Sequence, residues 1–154
     1  MAHAFTADEV AGVADLFGAL PRSALRRALV ELGYRRGEEV DEEAASAAIE
    51  DARTAYALLA VDEDPELLAP GPGAFPDLPN GADDLPHILD ADRRTLDRGR
   101  IADAAERRFR GDLAQALDDG DDERLRQLLE VSYDLEAWGP IDVSDGRDAI
   151  DDAL

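Results

Sequence analysis

The segment Pro70-Gly71-Pro72-Gly73-Ala74-Phe75-Pro76 constrains the fold of this chain more than any other. Three prolines in seven residues fix φ and remove backbone donors, so neither a helix nor an inner strand can run through it. Whatever lies before it must close its own core, and so must whatever lies after. The chain of 154 residues is long enough for one domain or two very small ones. The reading is therefore a unit over residues 1–70, a Pro/Gly-containing connector over 71–95, and a helical unit over 96–154. The last is expected to pack on the first, or the whole to form one domain.

Before the break, three stripes of apolar residues recur at helical spacing. Thr6-Ala7-Asp8-Glu9 has the form of a capping box, and Val10, Val13, Ala14, Phe17 and Leu20 follow on one face, with Pro21 as the stop. A second stripe runs Leu25, Ala28, Leu29, Leu32 and ends before Gly37. A third starts after Asp41 with Ala45, Ala48, Ile49, Ala52 and Tyr56. Two apolar runs, Ala57–Val61 and Glu66–Ala69, then flank Asp62-Glu63-Asp64-Pro65, which predicts a short β-hairpin in preference to a continued helix. After the connector, whose pins are Phe75, Leu78 and Leu85, a long helix is expected over about Leu96–Leu117. Its stripe is Ile101, Ala105, Phe109, Leu113, Ala116. Asp118–Asp122 ends it and starts another helix on Leu125, Leu128, Leu129 and Ser132. Trp138-Gly139-Pro140 breaks that one, and Ser144 is expected to cap a last helix. With 28 Ala and 20 Leu against eight aromatic residues, the core should be thin, helical and closely packed. The fold class is mostly α with one short hairpin.

Three helices followed by a hairpin is the order of a winged helix-turn-helix, and residues 1–70 resemble that fold in element order and spacing. The whole chain also resembles an uncharacterised family of short acidic haloarchaeal proteins. That likeness rests on Leu16-Phe17-Gly18-Ala19-Leu20, on Leu68-Ala69-Pro70-Gly71-Pro72, on Asp84-Leu85-Pro86-His87-Ile88-Leu89-Asp90, and on Val131 to Trp138. It implies no activity. The charge pattern points to the same setting. All sixteen basic side chains are Arg and none Lys, against 37 Asp and Glu, for a net charge of −21. Such a surface repels itself at ordinary ionic strength, whereas molar salt shortens the Debye length to about 3 Å and screens the repulsion. A halophilic cytoplasm is the expected environment. The first residues lack the basic and apolar pattern of a signal peptide and no apolar run reaches membrane length, so neither a secreted nor a membrane-spanning chain is expected.

Catalytic signatures are missing. There is no Cys, so thiolate chemistry is excluded, and no Lys, so a phosphate-binding P-loop lysine or a Schiff base is excluded. The four Ser lie in no nucleophile elbow. His87, with Asp84 and Asp90 beside it, is the one candidate for a divalent metal, although a lone His in such a connector is more often hydrogen-bonded scaffolding. No cofactor is expected.

The arginines carry the remaining possibilities. Arg22, Arg26, Arg27, Arg35 and Arg36 cluster around the second helix. Arg93 and Arg94 open a stretch through Arg110 that holds seven cations in eighteen residues. These residues and Trp138 are the candidates for partner binding. Intrahelical pairing, Asp103 with Arg107 and Glu106 with Arg110, is the competing use of the second cluster. A DNA-reading helix-turn-helix places its second motif helix in the major groove. Here that helix would show Glu42, Glu43, Glu50 and Asp51, with Arg53 its only cation. The leading expectation is a non-enzymatic module that binds another protein. A transcription-associated DNA-binding protein of winged-helix type is the alternative, and a metal-dependent enzyme the third.

Overall fold

Thr6 starts the first helix by the expected reciprocal cap. Its hydroxyl accepts from the Glu9 amide at 3.1 Å, and the Glu9 carboxylate accepts from the Thr6 amide at 3.0 Å. The computed structural model describes residues 5–61, 66–74, 82, 85–89 and 93–154, and divides into two units, Met1–Asp97 and Arg98–Leu154.

In the first unit, helix α1 (Ala7–Phe17) ends at Gly18, at φ 79°. It stops earlier than Pro21 requires, because Leu20–Pro21 is strand β1 instead. Helices α2 (Arg22–Arg35) and α3 (Glu42–Thr54) follow, the latter capped by Asp41, whose carboxylate accepts from the Ala44 amide at 2.8 Å. Strands β2 (Leu58–Val61) and β3 (Leu67–Pro70) form the expected antiparallel hairpin, with its turn outside the described residues. Strand β1 pairs antiparallel with β3, Leu20 opposite Leu68, so the sheet order is β1-β3-β2. Pro21, which cannot donate to a ladder, is tolerated because β1 is an edge strand.

The apolar stripes meet as their spacing demands. Val10, Val13, Ala14 and Phe17 of α1, Leu25, Leu29 and Leu32 of α2, and Ala45, Ile49 and Ala52 of α3 form one buried cluster with Leu58 and Leu68 of the sheet. At about 0.8 kcal/mol per buried CH₂, these Leu, Ile, Val and Phe side chains dominate what holds the unit together. The segment expected as a connector contributes to this core. Ala82 and Leu85 are fully buried in it, and Leu85 opens a one-turn helix, α4 (Leu85–Ile88), that the sequence pattern did not indicate. The pins expected at Phe75 and Leu78 lie outside the described residues. The Gly71 and Gly73 amides donate to Ala57 and Tyr56 carbonyls, and the Arg94 amide donates to Phe17 at 2.7 Å. Gly18 has to be glycine twice over. Its φ is positive, and any Cβ there would collide with the Arg94 carbonyl oxygen.

The second unit is three helices: α5 (Arg98–Asp119), α6 (Asp122–Trp138) and α7 (Ser144–Ala153). Ala105, Phe109, Leu113 and Ala116 of α5 are buried with Leu125, Leu128 and Leu135 of α6 and Ile150 of α7. Gly146 lets α7 approach α5 closely, since a Cβ would come within 3.0 Å of the Phe109 ring. Asp121 caps α6, accepting from the Arg124 amide at 3.1 Å. Ser144 does not cap α7 as expected. The cap position is Val143, and the Asp142 carboxylate accepts from the Ser144 amide at 3.0 Å and from its hydroxyl at 2.7 Å.

Candidate functional site

The outward face of α3 is acidic. Glu42, Glu43, Glu50 and Asp51 are all exposed there, beside Ala44 and Ala47. Helical spacing puts Glu43, Glu50 and Asp51 opposite Ala45, Ile49 and Ala52, while Glu42 is exposed because it is the first residue of the helix. The nearby cations are spent on this face. Arg22, at the start of α2, pairs with Glu50 at 2.6 Å, and Arg53 reaches the same carboxylate at 3.6 Å. The hydrogen bond from Arg22, opposed by partial burial, leaves the Glu50 carboxyl below its ordinary range.

The other arginines of the first unit, Arg93 and Arg94 from the second cluster included, divide in two. Arg36 pairs with Glu38 at 3.4 Å and Glu9 at 3.8 Å, and lies 5.8 Å from the Phe5 ring centroid. Arg93 donates to the carbonyls of Asp15 and Leu16 in the last turn of α1, where the helix dipole favours a cation. Arg26 is half-buried and Arg27, Arg35 and Arg94 are exposed. Arg26, Arg27 and Arg94 make no ion pair with any described residue.

In the second unit two pairs are intrahelical and three join different helices or the segment between them. Arg110 is held between Glu106 at 3.1 Å and Asp145 at 3.0 Å, which raises its pKa and lowers that of Asp145. Asp112 joins Arg108 at 3.5 Å to Arg124 at 3.2 Å. The pair expected between Asp103 and Arg107 is not made: both side chains stay exposed, as surface ion pairs of little net worth often do. Arg147 pairs with Glu136 at 2.7 Å and lies 4.6 Å from the Tyr133 ring centroid. The Glu136 carboxyl is held low, first by the Val143 amide and then by Arg147. Trp138, the other candidate for partner binding, lies at the end of α6 and is partly buried.

Two exposed aromatics were not singled out from the sequence. Tyr34 on α2 is 80% exposed and Tyr133 is 59% exposed. Their signal was present: each falls off the apolar stripe of its helix. The metal candidates Asp84 and Asp90 lie outside the described residues, as does the side chain of His87, whose backbone belongs to α4. Among the described residues no group of three or more His, Asp and Glu is arranged to hold a metal ion, and no helix is long and apolar enough to cross a membrane.

No curated protein and no solved structure matches the chain. A family model does match, over residues 8–154: the chain belongs to a family of unknown function, DUF7109.

Proposed function

For this member of a family without an assigned activity, we propose a non-enzymatic interaction module of a halophilic cytoplasm, built on a winged-helix-like N-terminal unit and acting on another protein. The order α1-β1-α2-α3-β2-β3 with sheet order β1-β3-β2 supports the winged-helix reading. The observation that carries protein binding over DNA binding is the exposed face of α3. In the helix-turn-helix arrangement that face would enter the major groove, and base edges there are read by Arg, Lys, Asn or Gln. Here it offers Glu42, Glu43, Glu50 and Asp51, and Arg22 and Arg53 are both engaged by Glu50. Carboxylates at that surface repel phosphates. In molar salt, counterion release cannot compensate, since affinity falls with a slope of about −0.9 per phosphate contact.

A DNA-binding reading keeps one supporting observation, the unpaired Arg26 and Arg27 on α2. Fluorescence anisotropy against a pool of genomic duplexes, at roughly 1–2 M KCl to suppress non-specific attraction, separates the two. No sequence-selective complex is expected. A complex of micromolar affinity or better, abolished by Arg26→Ala or Arg27→Ala, overturns the protein-interaction reading. Affinity capture at molar KCl with mass spectrometry then identifies the partner. The salt requirement has its own test: the melting temperature should rise steeply from about 0.1 M to about 2 M KCl as carboxylate repulsion is screened. A flat or falling curve sinks the halophilic assignment.

A further inference from the structure

Helix α2 buries Leu25, Ala28, Leu29 and Leu32, and on its other side carries a stripe at three-four-three spacing: Ala24, Arg27, Glu31, Tyr34. Tyr34 is 80% exposed, Arg27 is exposed, Glu31 is partly so, and Ala24, at the margin of the stripe, is partly buried against the unit's own core. Arg27 and Glu31 are four residues apart but in the less favourable order for an intrahelical pair. They do not pair with each other, nor with any other described residue. Both groups are therefore open to the charges of a partner.

The stripe is complementary to its own reverse. Laid antiparallel across a two-fold axis near residue 29, Arg27 of one copy meets Glu31 of the other, and Glu31 meets Arg27. The same operation sets Tyr34, the bulkiest exposed side chain of the helix, against Ala24, a small one. A contact that uses the same patch on both subunits is what a closed two-fold dimer requires. The three-four-three spacing is also that of a helix seam facing a second helix.

We propose that this chain forms a two-fold dimer through antiparallel packing of α2 on α2, with Arg27–Glu31 and Ala24–Tyr34 as its reciprocal contacts. An acidic protein would satisfy Arg27 but leave Glu31 opposed by like charge, and a nucleic acid would do the same. A second copy satisfies both. The inference does not depend on which further partner the protein binds. A fourteen-residue helix is about 21 Å long, so the interface belongs to the small, reversible class. Two chains of −21 also repel each other, so association belongs at molar salt.

The test is sedimentation equilibrium of the full chain at about 1 M KCl, where the Debye length is roughly 3 Å, over concentrations up to roughly 1 mM, suited to a weak interface. The average mass should rise from 16.6 kDa toward twice that value. Arg27→Glu and Glu31→Arg each place like charges in contact twice across the axis, and each should weaken the dimer about tenfold or more. The double variant Arg27→Glu/Glu31→Arg restores both contacts and should recover most of the loss, a coupling that simple surface effects do not produce. Tyr34→Ala should weaken the dimer with no charge change. Circular dichroism melts of each variant confirm that the fold is intact. The dimer is overturned if the wild type stays at 16.6 kDa throughout. It is equally overturned if the single reversals associate like wild type, or if the double variant is no better than the singles.

Discussion

Helices α3 and α5 end with the same backbone hydrogen bonds on very different residues. At the end of α3 the Ala57 amide donates to Ala52 and the Tyr56 amide to Arg53. At the end of α5 the Asp121 amide donates to Ala116 and the Gly120 amide to Leu117. Both are Schellman closures, which put one residue in the left-handed region: Tyr56 at φ 62° and Gly120 at φ 65°. Gly120 does so at no steric cost and is exposed, with nothing within 4 Å of where a Cβ would sit. Tyr56 bears a left-handed penalty of about 1–2 kcal/mol, yet its side chain is fully buried. Burial of an aromatic ring outweighs a strained backbone, so the first unit closes its helix by tertiary packing where the second does so by local conformation alone.

The largest effect should come from breaking the first closure. Tyr56→Ala removes the buried ring and keeps the strain, for an expected loss of about 3–5 kcal/mol. Tyr56→Gly removes still more of the side chain but relieves the strain. It should therefore be less destabilised than the Ala variant by about 1 kcal/mol, the reverse of the order seen where the backbone is unstrained. Chemical denaturation of the two variants decides the matter; an Ala variant as stable as the Gly variant would mean that Tyr56 is not strained.

Gly120→Ala tests the other closure and should cost about 1 kcal/mol, since only the left-handed φ opposes it and no neighbour is in the way. A loss as large as that at Tyr56 would end the distinction between the two units.

The smallest effect concerns the paired and hydrogen-bonded carboxylates of the second unit. The carboxyls of Glu136, Asp142 and Asp145 lie below their ordinary values of 4.5, 3.8 and 3.8. A carboxylate lowered in the folded state contributes stability above its unfolded pKa and loses it as pH falls through the folded value. At about 2 M KCl, where carboxylate repulsion is screened, melting temperature should therefore drop on acidification below about 4.5, and Glu136→Gln should shallow that drop. Asp134 has the opposite sign. Slight desolvation of this exposed carboxyl and the neighbouring Glu130 raise its pKa, so its contribution is lost as pH rises, and Asp134→Asn should be slightly stabilising at neutral pH. Melts between about pH 3 and pH 7 on the three proteins would show both slopes.

How much of this was legible from residues follows from the range of the signals. Glycine at a helix end marks a left-handed closure, so Gly37 and Gly120 declared themselves; Tyr56 reads as one more apolar residue of its stripe and gives no such sign. Glu106 and Arg110 sit in the favourable local order and do pair, but Asp103 and Arg107, in the same order, do not. Spacing sets which side chains can meet, whereas a third group, Asp145 for Arg110, helps decide which do.

Local chemistry in the sequence determined the starts of α1 and α3, at Thr6 and Asp41, the buried faces of the helices and the hairpin, because caps, periodicity and turn residues act within one or two turns of chain. Only the tertiary structure decided that Leu20–Pro21 is a strand, since two residues acquire that identity solely from Leu67 and Leu68 beside them. It likewise decided that Ala82 joins the first core beside Leu85, the one expected pin among the described residues, and that Arg22 and Arg53 are engaged by Glu50 while Arg26 and Arg27 make no ion pair with a described residue. Those outcomes rest on contacts between residues far apart in the chain, and no local pattern encodes which distant groups will be neighbours.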